Sequence, residues 1–256
     1  MELVLNLYKN EGETPLACLE RFRASHPEYK DLPLSYMGRL DPMASGVLLV
    51  VAGEENKKRE QYLGLDKEYE CKVLFGFNTD THDILGLVTE SVEGALDEQD
   101  IKSKVEKTIP DFVGTYNQTY PSFSSKPVGG KSLFMHAREG TIDKDNLPSH
   151  EVVVSLIEIL KWEQMEAIDL KESIKTRIAK VAGDFRQSEI LSKWEEVLEK
   201  EKNRSFSVVS LRISCGSGFY VRMFADDLGK KIGVPALAFE IVRTRVGEYR
   251  IEGSKK

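Results

Sequence analysis

Gly38-Arg39-Leu40-Asp41-Pro42-Met43-Ala44-Ser45-Gly46-Val47-Leu48-Leu49-Val50-Val51 sets one carboxylate at the edge of an apolar run. A run of this kind, bounded by turn residues, reads as a buried strand or a buried helix segment. Pro42 fixes its own φ and drives Asp41 toward extended backbone. Asp41 is thereby a carboxylate on a stiff turn, pressed against the core. Asp-Pro beside glycines is also ordinary turn chemistry, so the dipeptide alone does not assign a role.

A chain of 256 residues is one large domain or two small ones, enough to bury a sizeable core. The net charge of -6 gives no general basic field. A nucleic-acid partner would therefore need a local basic surface. Cys18, Cys71 and Cys215 lie far apart, and the histidines are scattered. That spacing argues against a zinc site or a disulfide framework and for a reduced, cytoplasmic protein. Leu3 to Tyr8 reads as a strand rather than a signal peptide. No apolar run approaches transmembrane length.

Outward from the central stretch, Thr14-Pro15 supplies a helix N-cap and a proline at the first helical position, with Leu16, Leu19 and Phe22 at helical spacing. Lys57-Lys58-Arg59 opens an amphipathic segment read as a solvated helix face. Tyr69, Cys71, Val73 and Phe75 share one face of a strand. A polar connection, 76–86, leads to a second strand over Leu85 to Thr89. Asp97 to Asp100 cap a helix from Ile101 to about Lys107. Gln118 to Gly140 is rich in serine, glycine, aromatic and basic residues and holds one acid, Glu139. Basic residues interleaved with aromatics favour nucleic-acid contact, although a Gly/Ser hairpin fits the composition equally. Val152 to Leu160 and Phe206 to Cys215 read as strands, and Met223 to Lys231 as a helix. Between those strands, residues 164–203 are charged and helix-periodic, broken at Gly183-Asp184. They read as an inserted helical hairpin, in the plainer view a solvated packing appendage, in the other an RNA or protein docking element.

Five stretches carry a resemblance. Gly38 to Leu48 resembles the catalytic motif of the TruB-type tRNA pseudouridine synthases, with Asp41 at the catalytic aspartate. Lys67 to Gly86 resembles that family's K-x-Y…T-D-T-x-D-x-x-G stretch and puts Tyr69 at its active-site tyrosine. Gln118 to Gly140 resembles the family's RNA-gripping thumb loop. Gly218-Phe219-Tyr220-Val221-Arg222 resembles the stretch whose arginine pairs with the catalytic carboxylate, and Val242 to Tyr249 resembles its final strand. Departures are Asn10 for the proline after Lys9, Tyr36 where a histidine is usual, and Tyr120, Ser125 and Phe134 within the thumb.

The resemblance implies a mixed α/β pseudouridine synthase fold, a long and mostly antiparallel central sheet flanked by helices and loops. It implies a single catalytic domain over 1–256, a thumb at about 115–140, the insertion at about 164–203, and no C-terminal PUA domain. Asp41, Tyr69 and Arg222 should meet in one cleft as catalytic residues. The guanidinium would keep the carboxylate charged and oriented, and the tyrosine would stack on an extruded base. RNA contacts are expected at Lys9, Tyr36, Arg39, Asp83, Lys126, Lys131, Arg138 and Tyr220. The implied reaction is isomerisation of uridine to pseudouridine, at the T-loop uridine, position 55, of tRNA. No cofactor and no metal are implied, and a monomer is expected. The alternatives are a non-catalytic RNA-binding or tRNA-folding protein on the same scaffold, and a synthase for another RNA. A carboxylate-pair glycosidase needs a second converging acid, which the motifs do not place beside Asp41.

Overall fold

The apolar run after Gly46 is a strand, and it is fully buried because both of its faces are covered. The computed structural model describes residues 2–94, 96–143 and 146–256; Met1, Ala95, Lys144 and Asp145 lie outside them. The first unit is β1 (Val4–Lys9), α1 (Pro15–Ser25), β2 (Leu34–Met37), β3 (Ala44–Ala52) and α2 (Arg59–Leu63). The Thr14 hydroxyl accepts from the Ala17 amide at 3.1 Å, the expected cap. The chain continues through β4 (Lys67–Phe75), β5 (Phe77–Thr79), β6 (Val88–Ser91), α3 (Glu98–Thr108) and β7 (Gly114–Thr119). The expected return strand at 85–89 thus starts later, and it pairs with β5 rather than with β4. Next are β8 (Pro127–Val128), β9 (Lys131–Ser132) and α4 (Leu133–Arg138). Then come β10 (Ser149–Glu166), α5 (Ala167–Ile178), α6 (Gln187–Lys200), β11 (Ser205–Cys215), α7 (Val221–Ile232), β12 (Ala236–Val246) and β13 (Tyr249–Arg250).

The main sheet runs β1-β3-β12-β4-β11-β10-β7, with β2 on β3 and β13 on β12. Its pairings are antiparallel except β3 with β12, which run parallel through Val242↔Ser45 and Arg243↔Gly46. The sheet is mixed and mostly antiparallel, as the resemblance implied. No helix among the described residues is long and apolar enough to cross a membrane.

Strand periodicity divides the sheet into two packed faces. Tyr69, Cys71, Val73 and Phe75 point to one face, where α3 and α7 cover them through Ile101, Val105, Phe224 and Leu228. Leu74, Val208 and Leu237 point to the other, where α5 and α6 cover them through Leu170, Ile174, Ile190 and Trp194. The helical hairpin of α5 and α6 is therefore no solvated appendage. It is the second helical layer, and Trp194, 1% exposed, lies at its centre. The charges that gave it a solvated look sit on its outer face, in pairs such as Lys171–Glu195.

Gly46 shows why the central motif needs a glycine. Its φ is 105°, and a Cβ there would lie 2.2 Å from the Arg243 carbonyl oxygen. Only a residue without a side chain lets β3 approach β12 this closely. Gly46→Ala is expected to lower stability by about 2–4 kcal/mol through strain and overlap. The midpoint of urea unfolding measures it, and an unchanged midpoint would refute the close-approach account.

Candidate active site

Asp41 sits on the turn before β3, where the Ala44 amide donates to its carbonyl at 3.1 Å. Lys9 holds this turn from beneath. Its Nζ donates to the carbonyls of Asn10 at 2.9 Å, Pro42 at 3.3 Å and Ala44 at 2.6 Å. Lys9 is 0% exposed, so it cannot touch RNA; the expected contact is replaced by a structural peg. The sequence pattern could not distinguish the two, because a lysine ending a strand is usually solvated. Burial pulls its pKa down to about 8.

Arg222, on the first turn of α7, reaches across to the carboxylate. Its Nε donates to Asp41 Oδ2 at 2.7 Å. Its Nη1 donates to the Thr81 carbonyl and its Nη2 to the Phe123 carbonyl at 3.3 Å. Asp83 Oδ2 lies 3.7 Å from Nε. Burial opposes the charge on Arg222, but Asp41 and Asp83 outweigh it and hold the pKa above the usual arginine value. The guanidinium thus joins the Asp41 turn, the 80s loop and the segment bearing Phe123 at one point.

Asp83, expected among the RNA contacts, borders the cleft but is buried. Its Oδ1 accepts from the Thr81 hydroxyl at 2.7 Å and the Leu85 amide at 2.9 Å. It is the second acid that the motifs did not place beside Asp41. Its Oδ1 is held by the loop, its Oδ2 faces Arg222, and the residue is 5% exposed, so it is not presented as the free second acid that a paired-carboxylate glycosidase needs.

Tyr69 lies on β4 between Ile213 of β11 and Arg243 of β12. Burial raises the pKa of its hydroxyl, with the Arg243 guanidinium opposing, so the ring is neutral near pH 7. Arg243 donates from Nε to the Val47 carbonyl at 2.8 Å and from Nη2 to the Gly38 carbonyl at 3.0 Å. Lys67 lies beside it, its pKa drawn down to about 8 by burial and by Arg243. Neither basic residue was singled out from sequence. The available signal for Arg243 was a charge sharing the inward face of β12 with Ile241.

These groups line one cleft of about 470 Å³. Asp41, Tyr69 and Arg222 meet there, as do Arg39, Asp83, Arg138 and Tyr220. Arg39 is exposed and has no hydrogen-bond or ion-pair partner among the described residues. Lys126 and Lys131 lie outside the cleft wall, Lys126 over the Tyr120 ring at 4.8 Å and Lys131 paired with Glu139. Tyr120 stacks on His150 at 4.0 Å and meets Tyr220 edge-on at 5.8 Å, an aromatic shelf beside the opening. Tyr36 is half-buried against the cluster of Leu5, Leu7 and Phe22 and does not line the cleft. Six cationic side chains (Arg39, Lys67, Arg138, Arg186, Arg222, Arg243) line it against three acids (Asp41, Asp83, Asp184). Lys67, Arg222 and Arg243 are buried in the wall, Arg138 and Arg186 pair with Asp184 and Asp80, and Arg39 faces the opening unpaired, so an acidic protein has a locally cationic cleft. Among the described residues no three His, Cys, Asp or Glu side chains cluster as a metal site.

The family model described as "TruB family pseudouridylate synthase (N terminal domain)" matches residues 32–178, more than half of the chain. The protein belongs to the TruB family. It is similar to a tRNA pseudouridine synthase B of Thermus thermophilus, 33% identical over 219 residues, 86% of this chain and 65% of that protein. The synthase B of Thermotoga maritima is 30% identical over 251 residues, covering 98% and 65%. That of Ligilactobacillus salivarius is 28% identical over 255 residues, covering 100% and 70%. The chain thus spans about two thirds of the length of these relatives. In fold it is similar to a Cbf5-Nop10-Gar1 complex, with a TM-score of 0.53 at 19% identity, over 96% of this chain and 49% of the solved one.

Burial raises the Asp83 pKa to about 6, with Arg222 opposing and Asp41 adding to the rise. A raised carboxyl pKa gives stability that is complete below the unfolded value, near about pH 4, and lost as pH rises through about 6. Asp83→Asn lacks this titration. Its stability relative to the unchanged protein should therefore climb across that window. Urea unfolding at several pH values reads the difference, and a flat or falling difference would contradict it.

Proposed function

We propose that the protein isomerises uridine to pseudouridine in RNA, at the T-loop uridine of tRNA, position 55. The observation that carries this is the Arg222–Asp41 contact of 2.7 Å at the floor of a cleft bordered by Tyr69. The reaction exchanges a carbon–nitrogen glycosidic bond for a carbon–carbon bond. The base leaves through N1, turns, and rejoins the sugar through C5, which gives up a proton while N1 gains one. Nothing is oxidised, so a carboxylate that attacks or moves a proton, with a held base, meets the chemical need.

Asp41 supplies that carboxylate, as nucleophile or as the group assisting deprotonation. Its side chain is 31% exposed while that of Arg222 is 3% exposed, so the acid faces the ligand and the guanidinium stays behind it. Neutral Tyr69 offers its ring to an extruded base. Arg39 and Arg138 offer unburied cations to the RNA backbone, and Tyr220, Tyr120, Lys126 and Lys131 form a stacking and charged shelf beside it. Tyr36 would meet RNA outside the cleft. The partly matched relatives named tRNA pseudouridine synthase B support tRNA as the substrate. The free, buried Cys18, Cys71 and Cys215 suit a reducing compartment such as the cytoplasm.

Unmodified T-arm RNA incubated with the protein should yield pseudouridine, scored by chemical labelling of the product. Asp41→Asn should give none, and Arg222→Lys, which loses the fork geometry, should be slower by roughly a hundredfold. Equal product from Asp41→Asn would sink the assignment. Product from other RNAs in a mixed pool, but not from the T arm, would move the substrate.

A further inference from the structure

The turn of the inserted hairpin, 183–187, borders the cleft through Asp184, Phe185 and Arg186. It is built rather than loose. Gln187 Oε1 accepts from the Phe185 amide at 2.9 Å, and its Nε2 donates to the Gly183 carbonyl at 2.7 Å and the Val181 carbonyl at 3.1 Å. Arg186 occupies the left-handed region at φ 63° and ψ 27°. That conformation is costly for a residue with a long side chain, and surrounding contacts must enforce it.

The contacts of Arg186 lead to the reacting carboxylate. Its guanidinium grips Asp80 from Nη1 to Oδ2 at 2.8 Å and from Nη2 to Oδ1 at 3.3 Å. Asp80 Oδ1 also accepts from the Leu87 amide at 2.9 Å, which closes the 80s loop. The same guanidinium lies over the Phe123 ring at 5.1 Å. A second tether, Trp194 Nε1 to the Ile84 carbonyl at 3.2 Å, ties the far side of the 80s loop to α6. The residue after Asp80 is Thr81. The Thr81 and Phe123 carbonyls are the two backbone acceptors of Arg222.

We propose that Arg186 is a positioning residue: from the inserted hairpin it fixes both backbone segments whose carbonyls aim Arg222 at Asp41. A fork held on a carboxylate at one side and stacked on a ring at the other constrains both partners, which a lysine could not do. The insertion thereby completes the catalytic wall. The kinetic part of the test rests on the uridine-isomerising reading; the structural part does not.

Two readouts on the full chain separate them. In Arg186→Ala the ¹⁵N resonance of Arg222 Nε–H should move. With unmodified T-arm RNA, kcat should fall by roughly ten- to a hundredfold while KM stays within about threefold. Asp80→Asn removes the other half of the pair and should move the same resonance, and the double variant should be no worse than the worse single one. Glu195→Ala, which breaks a surface bridge on the same hairpin, should change neither readout. An unmoved Arg222 resonance in both Arg186→Ala and Asp80→Asn overturns the proposal, whether or not the RNA is converted. So does a rise in KM with kcat kept, which would make Arg186 an RNA contact, and so does additivity of the two variants. If the unchanged protein makes no product, the functional reading fails and the resonance alone decides the positioning role.

Discussion

Burying one guanidinium beneath a half-exposed carboxylate is the constraint on which the rest of the molecule depends. A cation taken from water without partners would cost far more than the fold could offset. Arg222 therefore needs everything gathered round it: Asp41 in front, Asp83 at its side, and the carbonyls of Thr81 and Phe123 behind. They come from three different parts of the chain. Satisfying one side chain thus brings together the Asp41 turn, the 80s loop and the segment bearing Phe123. Asp41 retains the exposure to meet a ligand because its partner gave up its own.

Two more buried bases repeat the device below the turn. Lys9 gathers the carbonyls of Asn10, Pro42 and Ala44, and Arg243 those of Gly38 and Val47. A turn has no ladder partners for its carbonyls, so cationic donors supply them. The motif between Gly38 and Gly46 is stiff for that reason as much as for Pro42. Lys9 and Lys67 illustrate the associated cost, since burial draws both their pKa values toward neutrality.

Much of this was legible in the residues. The run after Gly46, the alternation from Tyr69 to Phe75 and the caps at Thr14 and Asp97 are local patterns, and local physics decides them. The identity of the carboxylate and of the arginine opposite it followed from motif resemblance, and the cleft brings Asp41, Tyr69 and Arg222 together. What periodicity could not supply was depth and partnership. Lys9 reads like any solvated lysine until three carbonyls surround it. Asp83 reads like a loop acid until the 80s loop folds on it. The hairpin at 164–203 reads as charged because only its outer face shows in composition, whereas Trp194 and Ile190 on its inner face decide where it sits. Arg186 gave no signal, since its partners Asp80 and Phe123 are distant in sequence and a left-handed conformation cannot be seen in a residue type.

The parallel contact between β3 and β12 has a consequence in time. Arg243 donates to the Val47 carbonyl across a separation of 196 positions. At ribosomal speeds of about 5–20 residues per second, the turn bearing Asp41 waits roughly 10–40 s for the strand that braces it. Throughout that interval the nascent chain displays the motif without its brace. The geometry of the cleft is therefore a late product of synthesis, complete only once β12 has emerged to hold the Asp41 turn.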